Sequence, residues 1–320
     1  MKIGIVSDSL ATLDVETLVT TVAALGIAGI EVNTGNWSRA PHLDLAAMLA
    51  QPAARRDFMA RLDDSGLALI ALNCNGNPLH PTDGARQAGC VRDTIRLAGL
   101  LGVRRVCLMS GLPAGGPQDS MPNWVISSWP PETHEILDWQ WNEKLLPFWR
   151  ELAALAAAHG VSELAVELHG NQLVYNVPTL LRLRREIGPV VGANLDPSHL
   201  FWMGADPLAA IDALGDAIMH VHAKDTYLNR PVRDVASLLD TGSLTDIASR
   251  SWSYITLGYG HDAGWWRDFC YRLRLAGYDG WLSIEHEDVL LSRLEGVRRS
   301  VELLAAVMPS EAPDFAPADI

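Results

Sequence analysis

One mark of punctuation recurs along this chain and limits what it can fold into: a helix-like stretch, a glycine, then a short apolar run. It occurs as Leu25-Gly26-Ile27, Ser65-Gly66-Leu67, Leu101-Gly102-Val103, His159-Gly160-Val161, Ile187-Gly188-Pro189, Leu214-Gly215-Asp216 and Ala276-Gly277-Tyr278. The position after the last turn of a helix often requires positive φ, which glycine adopts without a Cβ clash. The short apolar runs that follow are the mark of strands buried on both faces. With the run that opens the chain, they fall near residues 3–6, 29–33, 68–74, 105–110, 163–169, 190–196, 217–223 and 281–285. Eight strands with intervening helices predict an α/β chain forming a single (β/α)8 TIM barrel over residues 1–308, followed by a flexible C-terminal tail, 309–320. A doubly wound open sheet is the alternative, but no Gly-x-Gly-x-x-Gly follows the first strand.

Two connections are longer than a barrel needs, one after the fourth strand (about 112 to 139) and one after the seventh (about 226 to 262). Loops that follow strands form the active face of such barrels, and long ones there tend to be functional.

Charged groups near the ends of the last four strands carry the chemistry. They are Glu167 in Leu164-Ala-Val-Glu-Leu-His169, Asp196 in Val191-Gly-Ala-Asn-Leu-Asp196, His222 in Met219-His-Val-His222, and Glu285 in Leu282-Ser-Ile-Glu285. Charges that terminate apolar strands need a partner, and one ion satisfies all four. Three oxygen ligands and one imidazole suit Mn²⁺ or Mg²⁺ better than a closed thiolate zinc site. Consecutive strands are neighbours in a barrel, so the four converge on one side of its mouth. His220 shares the strand face of His222 and is read as a residue that supports the ligands from behind or packs there, while Lys224 and Asp225 are expected to pair locally beside the substrate.

Composition narrows the partners. At 320 residues the chain buries a substantial core, and 48% hydrophobic with 20% charged residues describes a soluble globular protein. A net charge of -13 disfavours a nucleic-acid backbone or an anionic membrane surface. No stretch is long enough to span a bilayer and the chain opens directly into a strand, so a cytoplasmic location is expected. Cys74, Cys90, Cys107 and Cys270 form no Cys-x-x-Cys pair and are read as small core residues.

Glu167, Asp196-Pro-Ser-His199, His222-Ala-Lys-Asp225 and Glu285 together resemble the pattern of the xylose isomerase-like barrel superfamily of sugar isomerases and epimerases. The resemblance runs from the first strand to the last helix. It implies one divalent ion held by Glu167, Asp196, His222 and Glu285, with Mn²⁺ expected and Mg²⁺ or Co²⁺ as alternatives. Isomerisation, epimerisation and β-elimination of sugars share one hard step, removal of a proton from carbon beside a carbonyl. A metal contributes several kcal/mol to that step as a Lewis acid, and a placed base roughly 10²–10⁴-fold. Glu167, Glu285, His199 and His169 are the candidate acid–base groups.

Substrate recognition is assigned to Asn33-Thr-Gly-Asn-Trp37 with His42, and to Asn73-Cys-Asn-Gly-Asn-Pro-Leu-His80, whose neutral donors and acceptors suit a polyol. Asn33, His42, Asn75 and His80 are the named contacts, joined by Lys224, Trp141 and His261; Asn and Gly also build turns. Trp124, Trp129, Trp139 and Trp141 cluster in the first insertion and could line a sugar face, an aglycone site or a partner. Gly35-Asn-Trp-Ser, Arg250-Ser-Trp252 with Gly258-Tyr-Gly-His261, and Ser283-Ile-Glu-His-Glu-Asp288 resemble a narrower branch, the α subunit of bacterial C-glycoside deglycosidases. That resemblance implies β-elimination from a 3-oxo-glucoside, with a small β subunit or a second copy as partner. A ketose isomerase or 3-epimerase is the alternative. A DNA-repair endonuclease on the same barrel would need further ligands and a basic groove, and a noncatalytic scaffold would have little reason to keep a full metal set.

Overall fold

The computed structural model describes residues 1–315; the last residues of the expected tail, 316–320, lie outside the described residues. Ten strands form in chain order: β1 (Lys2–Val6), β2 (Gly29–Asn33), β3 (Ala68–Asn73), β4 (Arg105–Leu108), β5 (Glu163–Glu167), β6 (Val191–Leu195), β7 (Ile218–Ala223), β8 (Asp225–Leu228), β9 (Trp252–Ile255) and β10 (Trp281–Ile284). Eight of them close a parallel barrel in the order β1-β10-β7-β6-β5-β4-β3-β2, with helices around it. All seven punctuating glycines have positive φ, from 49° to 121°. Gly102 shows why: at φ 70° it ends the helix Gly84–Leu101 and turns the chain into β4, a conformation a Cβ would oppose.

Local capping fixes where the helices begin. Asp14, Asp44, Asp262 and Ser292 each accept a bond from the backbone N–H three residues on, and Asn176 forms a reciprocal capping box with Thr179. Each such cap is worth about 1 kcal/mol. In the helix Ala263–Leu275, Trp266, Phe269, Cys270 and Leu273 form the buried face, at helical spacing.

The strands are buried on both faces, but the two faces differ. Ile30, Val32, Leu72, Val106, Leu164, Val166, Val221 and Leu282 join the apolar layer between barrel and helices. Alternate positions carry Glu31, Asn73, Arg105, Cys107, Asn194, His220 and His222, all buried. His220 on β7 reaches Glu31 on β2, strands that are not neighbours, so these side chains meet across the lumen. The interior of this barrel is polar.

After β4 the chain runs without regular structure to the helix Glu132–Trp139, passes through one π-helical turn (Gln140–Leu145) and enters the helix Leu146–Ala158. After β7, β8 and β9 form an antiparallel pair around the short helix Arg230–Ala236. The sequence showed that connection only as a long loop. All four cysteines are unpaired. No helix among the described residues is long and apolar enough to cross a membrane.

Phe269 is fully buried, whereas Tyr271, two residues on, is 60% exposed. Phe269→Ala is expected to cost about 3–5 kcal/mol, and Tyr271→Ala less than about 0.5 kcal/mol. Thermal unfolding of the two variants checks this, and equal midpoints would contradict the packing described.

Candidate metal centre

Four elements deliver the four groups. Glu167 ends β5, Asp196 follows β6, His222 lies near the end of β7, and Glu285 follows β10. One ligand atom from each of these four lies within 4.8 Å of the others. Asp196 is held by the backbone: its Oδ1 accepts from Ser198 N at 2.8 Å, capping the short helix Pro197–Trp202. That leaves Oδ2, buried and without a hydrogen bond, its nearest cation being His199 Nε2 at 3.2 Å. His222 Nδ1 is likewise unpartnered, although Glu285 Oε2 is 3.2 Å away and Glu167 Oε2 3.4 Å. Buried acceptors do not normally go unmatched, and lone pairs turned on one another repel. A divalent ion among these atoms removes both problems, and oxygen-rich ligation with one imidazole suits it. The donor set fits a metal.

Cations flank the set. Lys224 Nζ lies 3.1 Å from Glu285 Oε2, 2.6 Å from Glu287 Oε2 and 4.0 Å from Asp196 Oδ2, over the Tyr254 ring. Burial opposes the lysine charge, but Glu285 and Glu287 outweigh it and hold the pKa well above the ordinary value. Burial likewise disfavours charge on Glu285, yet Lys224 and His222 hold its carboxyl well below the usual range. The expected local pair of Lys224 with Asp225 does not form. Adjacent strand residues point to opposite faces, and Asp225 instead binds His261 Nδ1 at 2.7 Å and the backbone N–H groups of Gly258, Gly260 and His261.

The two histidines named as bases differ. His199 lies one helical turn after Asp196; its Nε2 is 2.9 Å from Glu167 Oε1 and 3.2 Å from Asp196 Oδ2, and its Nδ1 is 2.9 Å from Tyr254 Oη. Burial works against its charge, but Asp196 and Glu167 push the pKa up to about 9. Both nitrogens are engaged, so His199 is placed to hold Glu167 and Asp196. His169 is pushed down to about 4 by burial and by the neighbouring His199. Its Nδ1 lies 2.5 Å from the Gly170 carbonyl and must donate there, leaving the lone pair on Nε2. It packs between His199 and Trp37.

The other expected contacts divide. Asn75 Nδ2 reaches Glu167 Oε2 at 2.5 Å and belongs to the centre. Asn33 accepts from Ser7 Oγ and Asp8 N, tying β2 to the end of β1. His42 binds the Leu13 carbonyl, and His80 Nδ1 accepts from Thr82 N and Asp83 N as a turn brace. Trp141 is buried, with Arg182 stacked 3.9 Å from its ring centre, and His261 stacks on Phe201. These five are occupied with structure rather than turned towards the four ligands. The sequence reading missed Glu31, Asn194, Tyr254 and Glu287. A carboxylate interrupting Gly29-Ile-Glu-Val-Asn33 was the signal for Glu31, and Glu287, two residues past Glu285, shares its side of the chain; nothing local marked Tyr254.

A cleft of about 650 Å³ opens beside Glu285, lined among others by Asp8, Trp37, Ser38, Tyr254 and Glu287. Its lining mixes carboxylates and hydroxyls with apolar side chains and two aromatic rings, Trp37 and Tyr254.

In metal-free protein, His199 should remain cationic up to about pH 9 and His169 neutral down to about pH 4. Between pH 5 and 8 neither ring proton signal should titrate in NMR spectra. Titration of either near pH 6.5 would contradict the environments described.

A family model described as "Xylose isomerase-like TIM barrel" matches residues 19–307. The "Uncharacterized protein YfiH" of Bacillus subtilis (strain 168) is 47% identical over 307 residues, covering 95% of this chain and 98% of its own. Among solved structures, a D-tagatose 3-epimerase-like protein aligns with a TM-score of 0.63 at 19% identity, covering 96% of this chain and 98% of that one. The IolI protein, solved with a bound zinc atom, aligns at 0.66 and 16%, again over 96% and 98%. At such identities these two likenesses speak for the fold. The closed barrel and the family match agree, and the chain belongs to the xylose isomerase-like TIM barrel family.

Proposed function

We propose that this protein is a divalent-metal-dependent enzyme that removes a proton from carbon beside the carbonyl of a sugar, with Glu167, Asp196, His222 and Glu285 as the metal ligands and Mn²⁺ as the ion. The observation that carries the reading is the pair of buried, unpartnered atoms, Asp196 Oδ2 and His222 Nδ1, facing two further carboxylates. When bound, the ion supplies Lewis acidity to a substrate carbonyl. The chain's own groups do the rest. Asn75 and His199 hold Glu167 in place, and His169 Nε2 offers a neutral base on the same flank. On the other flank Lys224 occupies Glu285, making it a poor base and leaving an ammonium there to steady negative charge.

This one-sided supply of base favours a reaction that moves a single carbon-bound proton. Elimination from a 3-oxo-glycoside, C-linked aglycones included, is such a reaction. The C2–H bond breaks and its proton goes to the base; the C2–H electron pair forms the C1–C2 double bond; the C1–aglycone bond breaks, and the aglycone leaves with the pair of that C1–aglycone bond and takes up a proton. The family's sugar chemistry and the fold shared with a 3-epimerase-like protein support the alternative, a ketose isomerase or 3-epimerase. Two-sided proton transfer would then require Glu285 to act despite Lys224.

The exposed apolar side chains of the first insertion, Met121, Ile126 and Trp129, are offered to a small β subunit or a second copy. Trp141 is not among them, since it folds back as core.

Purified protein should hold close to one Mn²⁺ per chain, and Asp196→Asn or Glu285→Gln should weaken that binding. Full occupancy in a Glu167→Gln/Asp196→Asn double variant would remove the ligand assignment. Incubation with Mn²⁺ and a 3-oxo-C-glucoside should release aglycone, and His169→Ala should slow release roughly 10²–10⁴-fold. Interconversion of ketohexoses without aglycone release would establish the alternative. Mass in solution, alone and with the small protein encoded beside it, tests the partner; a fully active monomer would dismiss it.

A further inference from the structure

Below the four proposed ligands, a second set of groups crosses the lumen, and every hydrogen in it can be placed by donor and acceptor logic alone. Arg105 sits at the start of β4 and has only donors to offer. Its Nε and Nη2 lie 2.7 and 2.6 Å from Glu163 Oε2, and its Nη1 is 3.3 Å from His220 Nδ1. His220 Nδ1 is therefore an acceptor, and the neutral ring carries its proton on Nε2. His220 Nε2 lies 2.7 Å from Glu31 Oε2 and donates to it.

Glu31 is wholly buried, and its charge is matched by donors of the protein. Asn73 Nδ2 donates to its Oε1 at 2.7 Å. Its remaining contact is His222 Nε2, 3.1 and 3.2 Å from its two oxygens. A lone pair on that nitrogen would face two carboxylate oxygens, so Nε2 carries a hydrogen, and Nδ1 is the nitrogen left to offer its lone pair to an ion. Nδ1 is the unpartnered atom that faces Glu167 and Glu285. Asn194 Nδ2, 3.1 Å from the same Nε2, would set two donors against each other, while its Oδ1 has no partner. Exchanging the amide's oxygen and nitrogen would give Nε2 a further acceptor, at the expense of the 3.4 Å contact that Nδ2 makes to Glu167 Oε2.

Glu31, Cys107, His220 and His222 also approach one another closely enough to suggest a second ion. The hydrogen bonds argue otherwise. His220 has no lone pair left, and Glu31 already accepts from three donors.

We infer that Glu31 is a positioning residue: by accepting from His222 Nε2, and being itself fixed by Asn73 and the Glu163–Arg105–His220 chain, it sets the tautomer and ring orientation that present His222 Nδ1 to a divalent ion. The inference rests on His222 being a ligand, as proposed above. Partners of this kind typically account for 10–100-fold in metal affinity.

The test uses Mn²⁺ affinity, measured by competition with a fluorescent chelator, and ¹H–¹⁵N NMR of the protein loaded with diamagnetic Zn²⁺. Wild-type protein should show His222 ligating through Nδ1, with a slowly exchanging, hydrogen-bonded proton on Nε2. Glu31→Gln, whose amide must turn a donor towards one of three donors, should bind Mn²⁺ roughly 10–100-fold more weakly and lose the slow His222 proton signal. Glu31→Asp, which keeps the carboxylate, should recover part of the affinity. Unchanged affinity and an unchanged His222 signal in Glu31→Gln would overturn the inference. So would ligation through Nε2 in wild-type protein, a result that needs no variant to fold. A second wild-type ion that Glu31→Gln abolishes would overturn it too, by making Glu31 a ligand. Failure of wild-type protein to bind any divalent ion would remove the proposed function as well, so the two readings fail by different results.

Discussion

Closing eight strands into a barrel sends alternate side chains into a lumen that water does not fill, and any charge placed there must be matched by the protein itself. The rest of this structure follows from how that requirement is met. In the lower lumen it is met by hydrogen bonds alone, with Glu31 receiving Asn73, His220 and His222, and His220 receiving Arg105. At the mouth it is met incompletely. Asp196 Oδ2 and His222 Nδ1 have no hydrogen-bond partner, and the imbalance is what makes the mouth a place for an ion. His222 belongs to both layers, one nitrogen in each.

The two flanks of the mouth then acquire different chemistry from ordinary neighbours. Lys224 sits against Glu285 and Glu287, and His199 against Glu167 and Asp196. Lys224 lowers the basicity of Glu285, and His199 that of Asp196. His169 escapes, because burial and the adjacent His199 keep it neutral and the Gly170 carbonyl fixes which nitrogen is free. Acid–base character here is a property of position, and residue type alone predicts it poorly.

The strands could be read from sequence because their signals are local: a glycine at positive φ and a run of apolar residues are decided by near neighbours. Glu167, Asp196 and Glu285 stood out for a related reason, as charges ending apolar runs. Glu31 lies inside its run, and a reading that treats both strand faces as apolar passes over it. Lys224 and Asp225 were joined although strand parity separates them, a geometric rule the sequence already contained. Tyr254 arrives from β9, inside an excursion with no periodic pattern, and nothing near it in sequence announces that its hydroxyl meets His199. His80 and His42 illustrate the opposite limit, since a polar residue in a loop is as able to brace a turn as to bind a substrate.

Asp196 does two jobs with two oxygens. Oδ1 caps the helix that carries His199 and Trp202, and Oδ2 faces the other ligands. Both reaches are set by a side chain with one methylene. Glutamate would carry its carboxylate past the cap, and asparagine would hold the cap but put an uncharged NH2 donor where the second oxygen stands. Of the twenty residues, only aspartate can serve the helix and the mouth at once, so chain geometry and ligand chemistry are locked together at a single position. A substitution at Asp196 therefore disturbs the helix and the mouth together.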